Sequence, residues 1–239
     1  MRRLKGRLFA RKSKLTRLQH KLGYFFSSSD LLVQSITHKS VHSDLRKNYE
    51  QLEFLGDAII DYLVSKRLLQ EFPESSEGLL TEKRSALVQK TFLAKMGDKL
   101  GLLPSISAAP SVDLDQEKVS QNQLANVFEA IVGAIYLDGG IKPCERLVET
   151  SIWNHRREAW RSINHKGLLI EYCQAKQMDA PRFLVTKTTG PEHQKVFEVS
   201  VQVGKKRFQP GNGKSKKAAE QQAAQIALES IGFWEPIPS

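Results

Sequence analysis

The spacing of apolar residues changes once along this chain, near residue 163, and that change limits what the chain can fold into. Before it, apolar residues recur every three or four positions, the period of one helical face. The pattern predicts helices over 30–37, 49–72, 78–100, 119–137 and 142–162, with Pro73 ending the second and Gly139-Gly140 ending the fourth. Residues 104–117, rich in Pro, Ser and then alternating acids, read as a loop. Past the change, a helix over 168–176 precedes two runs, 183–188 and 196–201, that alternate with period two as strands do. Gly190-Pro191 marks the turn between them, 205–210 reads as a third short strand, and an Ala-rich helix over 214–231 follows. The predicted fold is an all-α domain followed by a small α+β domain of order α-β-β-β-α. The expected boundaries are a basic arm over 1–14, the helical domain over 15–160, a linker over 161–166 and the small domain over 167–234.

Size and composition narrow the function. At 239 residues and 40% hydrophobic, the chain can bury a substantial core. No apolar run approaches the roughly 20 residues of a membrane helix, so no membrane partner is expected. Cys144 and Cys173 match no metal or redox spacing and read as reduced core thiols of a cytoplasmic protein. The net charge of +10 is uneven: residues 1–21 carry nine basic residues and no acid, 22–164 carry sixteen basic against nineteen acidic, and 165–239 carry eleven against seven. An acidic centre between basic ends suits a metal-dependent enzyme with a polyanionic substrate. The basic N-terminus lacks the apolar core of a secretory signal and reads as an RNA-touching or disordered arm, or alternatively as an organellar transit peptide.

The acids at the centre are placed where acids are rare. Glu50, Glu53 and Asp57 fall at about 0°, 300° and 340° on a helix of 100° per residue, so they share one face. The neighbouring positions carry Leu52, Leu55, Ile59, Ile60, Leu63 and Val64. Asn126 and Glu129, far along the chain, share a face of a second apolar helix. Ionised acids in such runs need compensation, and hard divalent cations supply it through oxygen ligands. Two such faces opposed could hold cations between them and break phosphodiesters. Glu77 adds a further acid after Pro73, either as a ligand or as a charge stabilising a helix N-terminus. The bland alternative is a set of surface acids on amphipathic helices. His38 reads as a structural residue, since this chemistry needs no imidazole.

In the last part of the chain, Gly211-Asn212-Gly213-Lys214-Ser215-Lys216-Lys217 reads as a Gly-rich turn leading into a helix N-terminus. Free N–H groups and the helix dipole favour phosphate there, and three lysines add charge. Ala218, Ala219, Ala223, Ala224 and Ala227 read as packing positions against the sheet.

Glu50-Gln51-Leu52-Glu53-Phe54-Leu55-Gly56-Asp57-Ala58 resembles the signature of the ribonuclease III family of double-strand-specific RNA endonucleases. Thr37-His38-Lys39-Ser40, Glu77-Gly78 with Thr81 and Arg84, and Phe128-Glu129-Ala130 with Gly133-Ala134 resemble the family as well. The C-terminal part resembles a double-stranded RNA-binding domain, so the likeness spans roughly residues 15–233.

The resemblance implies a Mg²⁺-dependent homodimer, with Mn²⁺ able to substitute and no organic cofactor, acting on double-stranded RNA in the processing of ribosomal and messenger RNA precursors. It implies two-metal hydrolysis, one cation activating water and the other stabilising the leaving 3′ oxygen, with 5′-phosphate and 3′-hydroxyl products. Glu53, Asp57 and Glu129 match metal ligands, with Asp57 and Glu129 the catalytic pair, and Glu50 and Glu77 match assisting acids. Phe54 matches a residue that inserts into the partner subunit. Glu171, Gln174, His193 and Lys214, Ser215, Lys216 and Lys217 match RNA-contacting positions, which read the shape of an A-form duplex.

The chain departs from the pattern at Asn126, where the family usually has Asp. An amide keeps a carbonyl oxygen for a metal but brings no charge. Three readings stay open: an enzyme working with an Asn ligand, a catalytically weak enzyme, or a form substituted so as to trap its substrate. No substitute acid is evident, since Asp113, Asp115 and Glu117 lie in the preceding loop. The rival function is a non-catalytic RNA-binding protein on the same scaffold. A DNA-directed nuclease is disfavoured, because reading 2′-hydroxyls selects RNA.

Overall fold

Helix after helix in the first part is set by capping and by burial, and the computed structural model describes this for residues 13–161, 163–191 and 194–233. Most of the expected basic arm lies outside the described residues. A helix runs through residues 13–22 (α1). It is followed by α2 (Ser29–Ser35), capped by the Ser28 side chain, and by α3 (Glu50–Glu71). Between α2 and α3, the backbone of Ile36–His38 pairs with Ser107, and the Tyr49 N–H donates to the Thr37 carbonyl at 3.0 Å. His38 is buried here, its Nδ1 2.7 Å from the Ser40 hydroxyl and its ring edge-on to Tyr49. This segment therefore fixes the start of α3, in keeping with a structural histidine.

The single helix expected over 78–100 is two. Helix α4 (Glu77–Val88) and α5 (Lys90–Lys99) meet at Gln89, whose backbone is extended with ψ of 140°. A 3₁₀ turn (Leu103–Ser105) leads to α6 (Glu117–Gly139), which ends at Gly140 with φ of +77°, a conformation glycine adopts without strain. Helix α7 (Ile141–Ser151), a 3₁₀ turn (Trp153–His155) and α8 (Arg156–Trp160) complete this unit. What was expected as one helix over 142–162 is thus broken at Ile152. No helix among the described residues is long and apolar enough to cross a membrane.

Helix α6 is the axis of the core. From Leu124 to Ile135 every residue but Asn126 is buried. It lies against α3 so closely that a Cβ at Gly56 would run into the Glu129 carbonyl, and one at Gly133 into the Leu52 carbonyl. Two glycines let the backbones touch, and that approach sets the acids of α3 against α6. Elsewhere the Lys83 ammonium is buried 3.9 Å from the Phe72 ring centre and 4.2 Å from that of Trp160, a cation–π arrangement.

The chain divides into two compact units between Arg161 and Ser162. The second holds α9 (His165–Ala175), β1 (Arg182–Thr189), β2 (Val196–Val203), β3 (Lys206–Arg207), β4 (Gly211–Gly213) and α10 (Lys216–Ser230). Because α9 already begins at His165, the linker expected over 161–166 is shorter than that. The sheet is antiparallel: β2 pairs with β1 along one side and with β3 and β4 in succession along the other. Val199, Val201 and Val203 of β2 are buried with Ala219, Ala223, Ala224 and Ala227 of α10 in the core of this unit. Cys144 and Cys173 are buried free thiols in their respective cores, and burial pushes the Cys144 thiol up to about 12.

Candidate active site

Where α3 and α6 touch, their polar residues meet. Glu129 is only 4% exposed, and burial, then the charges of Asp57 and Glu53, push its carboxyl up to about 7. Glu53 is half-buried and also raised, first by burial, with the Lys90 ammonium acting against this. Asp57 is exposed one turn further along α3. Glu50 stands at the N-terminus of α3, its carboxylate 3.0 Å from the Lys39 ammonium. Asn126 is held by the Lys90 ammonium, 3.2 Å from its Oδ1, while the nearby Tyr49 hydroxyl donates to Gln123 Oε1 at 2.8 Å. Glu77 sits in the first turn of α4, exposed, accepting from the Thr81 hydroxyl of its own helix at 3.1 Å. The structure thus brings together Glu53, Asp57, Asn126 and Glu129, with Glu50 at the start of the same helix face. Among the described residues no three acids, histidines or cysteines close tightly on one point, so the group is an open acidic face.

Phe54 projects from α3 with 81% of its surface exposed, and Tyr62 and Leu69 of the same helix are exposed at 57% and 58%. Three large apolar side chains of one helix are thus open to water.

The second unit presents its charges differently. Gly211-Asn212-Gly213 is not a turn but strand β4, opposite Phe197–Val199 of β2. A Cβ at Gly211 would run into the Ala223 amide nitrogen, and one at Gly213 into that of Ala219. The glycines are there because the strand presses on the backbone of α10. Ser215 caps α10, its hydroxyl accepting from the Ala218 N–H at 3.1 Å. Residues 214–218 are all exposed, so Lys214, Lys216 and Lys217 surround a capped helix start. Glu171 and Gln174 are exposed on α9, three residues apart, while Leu168, Leu169 and Cys173 fill its buried side. His193 lies outside the described residues.

Comparison with known proteins places this arrangement. Residues 28–155 match the family described as Ribonuclease-III-like, and residues 165–231 match the double-stranded RNA binding motif. The chain belongs to the ribonuclease III family. It is similar to the Ribonuclease 3 of a Nitratiruptor species, with 36% identity over 91% of this chain and 96% of that protein. It is similar also to that of Geobacillus thermodenitrificans, with 35% identity over 95% of each. The crystal structure of the nuclease domain of the Campylobacter jejuni ribonuclease III superposes with a TM-score of 0.54 at 33% identity, covering 59% of this chain and 94% of that one. Another structure of that nuclease domain, described for flexibility in the region involved in its dimer formation, gives a TM-score of 0.53 at 34% identity, covering 56% and 96%.

Two residues that sequence reasoning passed over belong to the group. Asp61 lies four residues after Asp57 on α3; burial and then the Asp57 charge raise its carboxyl, and its Oδ1 is buried with no hydrogen-bond partner among the described residues. Its signal was present, since four residues advance about 40° on a helix and keep Asp61 on the face of Asp57. Lys90 left no such signal. It reaches Asn126 and Glu53 only because Gln89 breaks the helix.

Proposed function

We propose that the protein is an endoribonuclease that hydrolyses double-stranded RNA as a Mg²⁺-dependent homodimer. The observation that carries this reading is the open acidic face that Glu53, Asp57 and the buried Glu129 share where α3 and α6 touch, in a ribonuclease III chain with a double-stranded RNA binding motif. The donors suit Mg²⁺ or Mn²⁺. They are hard oxygens, Glu129 is buried among negative charges that a cation would compensate, and Asp61 Oδ1 is a buried oxygen without a partner. When bound, such a cation lowers the pKa of water and offsets charge gathering on the phosphate.

The protein's own residues supply the rest. Glu53, Asp57 and Glu129 would hold the cation, and Asn126 would offer a neutral carbonyl. Glu50, at the start of the same helix face, is an assisting acid, and Glu77, which the structure places in the first turn of α4 and not among them, keeps that role by family resemblance alone. Glu171 and Gln174 contact the minor groove, and Lys214, Ser215, Lys216 and Lys217 contact phosphates, so that duplex shape rather than sequence is selected. Phe54 inserts into a second copy of the chain, and Phe54→Asp is expected to shift the protein to monomers in analytical ultracentrifugation. Water replaces the 3′ oxygen at phosphorus, leaving a 5′-phosphate and a 3′-hydroxyl.

Asn126 favours a second reading, a protein that binds duplex RNA without cutting it. An end-labelled RNA duplex incubated with Mg²⁺ and either the parent or Glu129→Ala decides between them. Staggered fragments with 5′-phosphates from the parent alone are expected. Intact duplex with a clear gel shift for both would establish the binding protein.

A further inference from the structure

The acidic face contains a cation of its own. Lys90 Nζ is 3.2 Å from Asn126 Oδ1 and 3.9 Å from Glu53 Oε1, and its charge also acts on Glu129. Lys90 is the first residue of α5, where the positive end of the helix dipole disfavours an ammonium. The placement is therefore locally unfavourable and is offset by Glu53 and the Asn126 amide, with the lysine side chain 62% exposed. Asn126 completes the match. Its carbonyl accepts from the lysine, while the nearby Tyr49 hydroxyl is engaged in donating to Gln123 Oε1. A carboxylate at 126 would attract a divalent cation; a neutral carbonyl paired with an ammonium does not, and a doubly charged ion placed there would stand against Lys90.

We propose that the Lys90 ammonium takes the place of a second divalent cation on the Asn126 side of the site. Each protomer then binds one divalent ion, through Glu53, Asp57 and Glu129, while Lys90 presents a fixed positive charge to the phosphate. Asn126 and Lys90 form one unit: the missing charge of the amide is matched by a cation that needs no carboxylate to hold it. This inference rests on the nuclease reading above.

The test counts bound metal rather than activity. Mn²⁺ bound per protomer of the full-length protein, without RNA, is measured from the free-ion electron paramagnetic resonance signal for the parent and for the double variant Lys90→Met with Asn126→Asp. One Mn²⁺ on the parent and two on the double variant are expected. Two on the parent, or one on the double variant, overturns the assignment. No Mn²⁺ on the parent overturns it as well, and with duplex RNA left intact it removes the nuclease reading too. Should the double variant fold poorly, Lys90→Arg serves as the second measurement. It is expected to keep one Mn²⁺ and most cleavage, whereas Lys90→Met is expected to lose on the order of 10²-fold in kcat. Equal kcat for Lys90→Met and the parent overturns the role of the charge.

Discussion

The two units solve opposite problems with the same device. In the first, Gly56 and Gly133 let two helices touch; in the second, Gly211 and Gly213 let a strand touch a helix. Both approaches place charge beside a backbone contact. The first buries it, and Glu129 at 4% exposure sits among like charges. The second leaves Lys214, Lys216 and Lys217 open to water around a capped helix start. A buried carboxylate among like charges favours a compact cation beside it, whereas exposed lysines suit a polyanion that can reach them along its length. The difference predicts that the first site carries an energetic cost when empty and the second does not.

Glu129→Gln tests that cost most directly. The variant keeps the shape of the side chain and removes its charge, and cleavage is expected to fall at least about 10³-fold, since a carboxylate proposed to hold the metal is lost. Its effect on stability runs the other way. The folded carboxyl titrates near 7, above its ordinary 4.5, so its contribution is fully present below pH 4.5 and is lost as pH rises through 7. Without divalent cations the parent is therefore destabilised above pH 7, by on the order of 3 kcal/mol from this group. In EDTA at pH 8, Glu129→Gln is expected to melt roughly 5–10 °C higher than the parent, the gap closing at pH 4 and on adding Mg²⁺ to the parent. Equal melting of the two at pH 8 would show that burial does not strain this carboxylate.

The glycine pairs should break the comparison unit by unit. Ala at position 133 meets the Leu52 carbonyl, and Ala at 211 meets the Ala223 amide, each an overpacking expected to cost about 1–3 kcal/mol. Hydrogen exchange is the suitable readout. Gly133→Ala should lower protection in α3 and α6 and abolish cleavage, whereas Gly211→Ala should lower protection in β2 and α10 and weaken duplex binding. Loss of protection spread evenly over both units in either variant would mean that they are not separate cores.

In both units the sequence made faces legible and neighbours not, for a physical reason. Helical spacing placed Glu50, Glu53 and Asp57 on one face, and Asn126 with Glu129 on another, because a helix face depends on a period alone. Period two likewise found β1 and β2. What failed depended on the neighbour. Gly211–Gly213 reads as a turn until α10 is seen beneath it, because glycine serves close approach and tight turning alike. The break at Gln89 carries no Pro or Gly, so the run from 78 to 100 reads as one helix. Without that break Lys90 has no reason to meet Asn126. Asp61 keeps the helical phase of Asp57 but stands alone between Ile60 and Tyr62, and only the packing of α3 shows its Oδ1 buried without a hydrogen-bond partner among the described residues.

The smallest expected effect belongs to the exposed lysines. Lys216→Ala with Lys217→Ala removes two charges that make no packing contribution, so the melting temperature should stay within about 1 °C. Duplex affinity should fall roughly tenfold at moderate salt. The slope of log K against log salt should become shallower by about 2, because each lost phosphate contact releases roughly one fewer counterion. Cleavage should weaken through KM, with kcat at saturating duplex close to that of the parent. Equal salt slopes for variant and parent would remove these lysines from the RNA surface and shift the search to Glu171 and Gln174. A fall in kcat at saturation would join the two units in one catalytic step, and the contrast between a site for an ion and a surface for a polymer would fail.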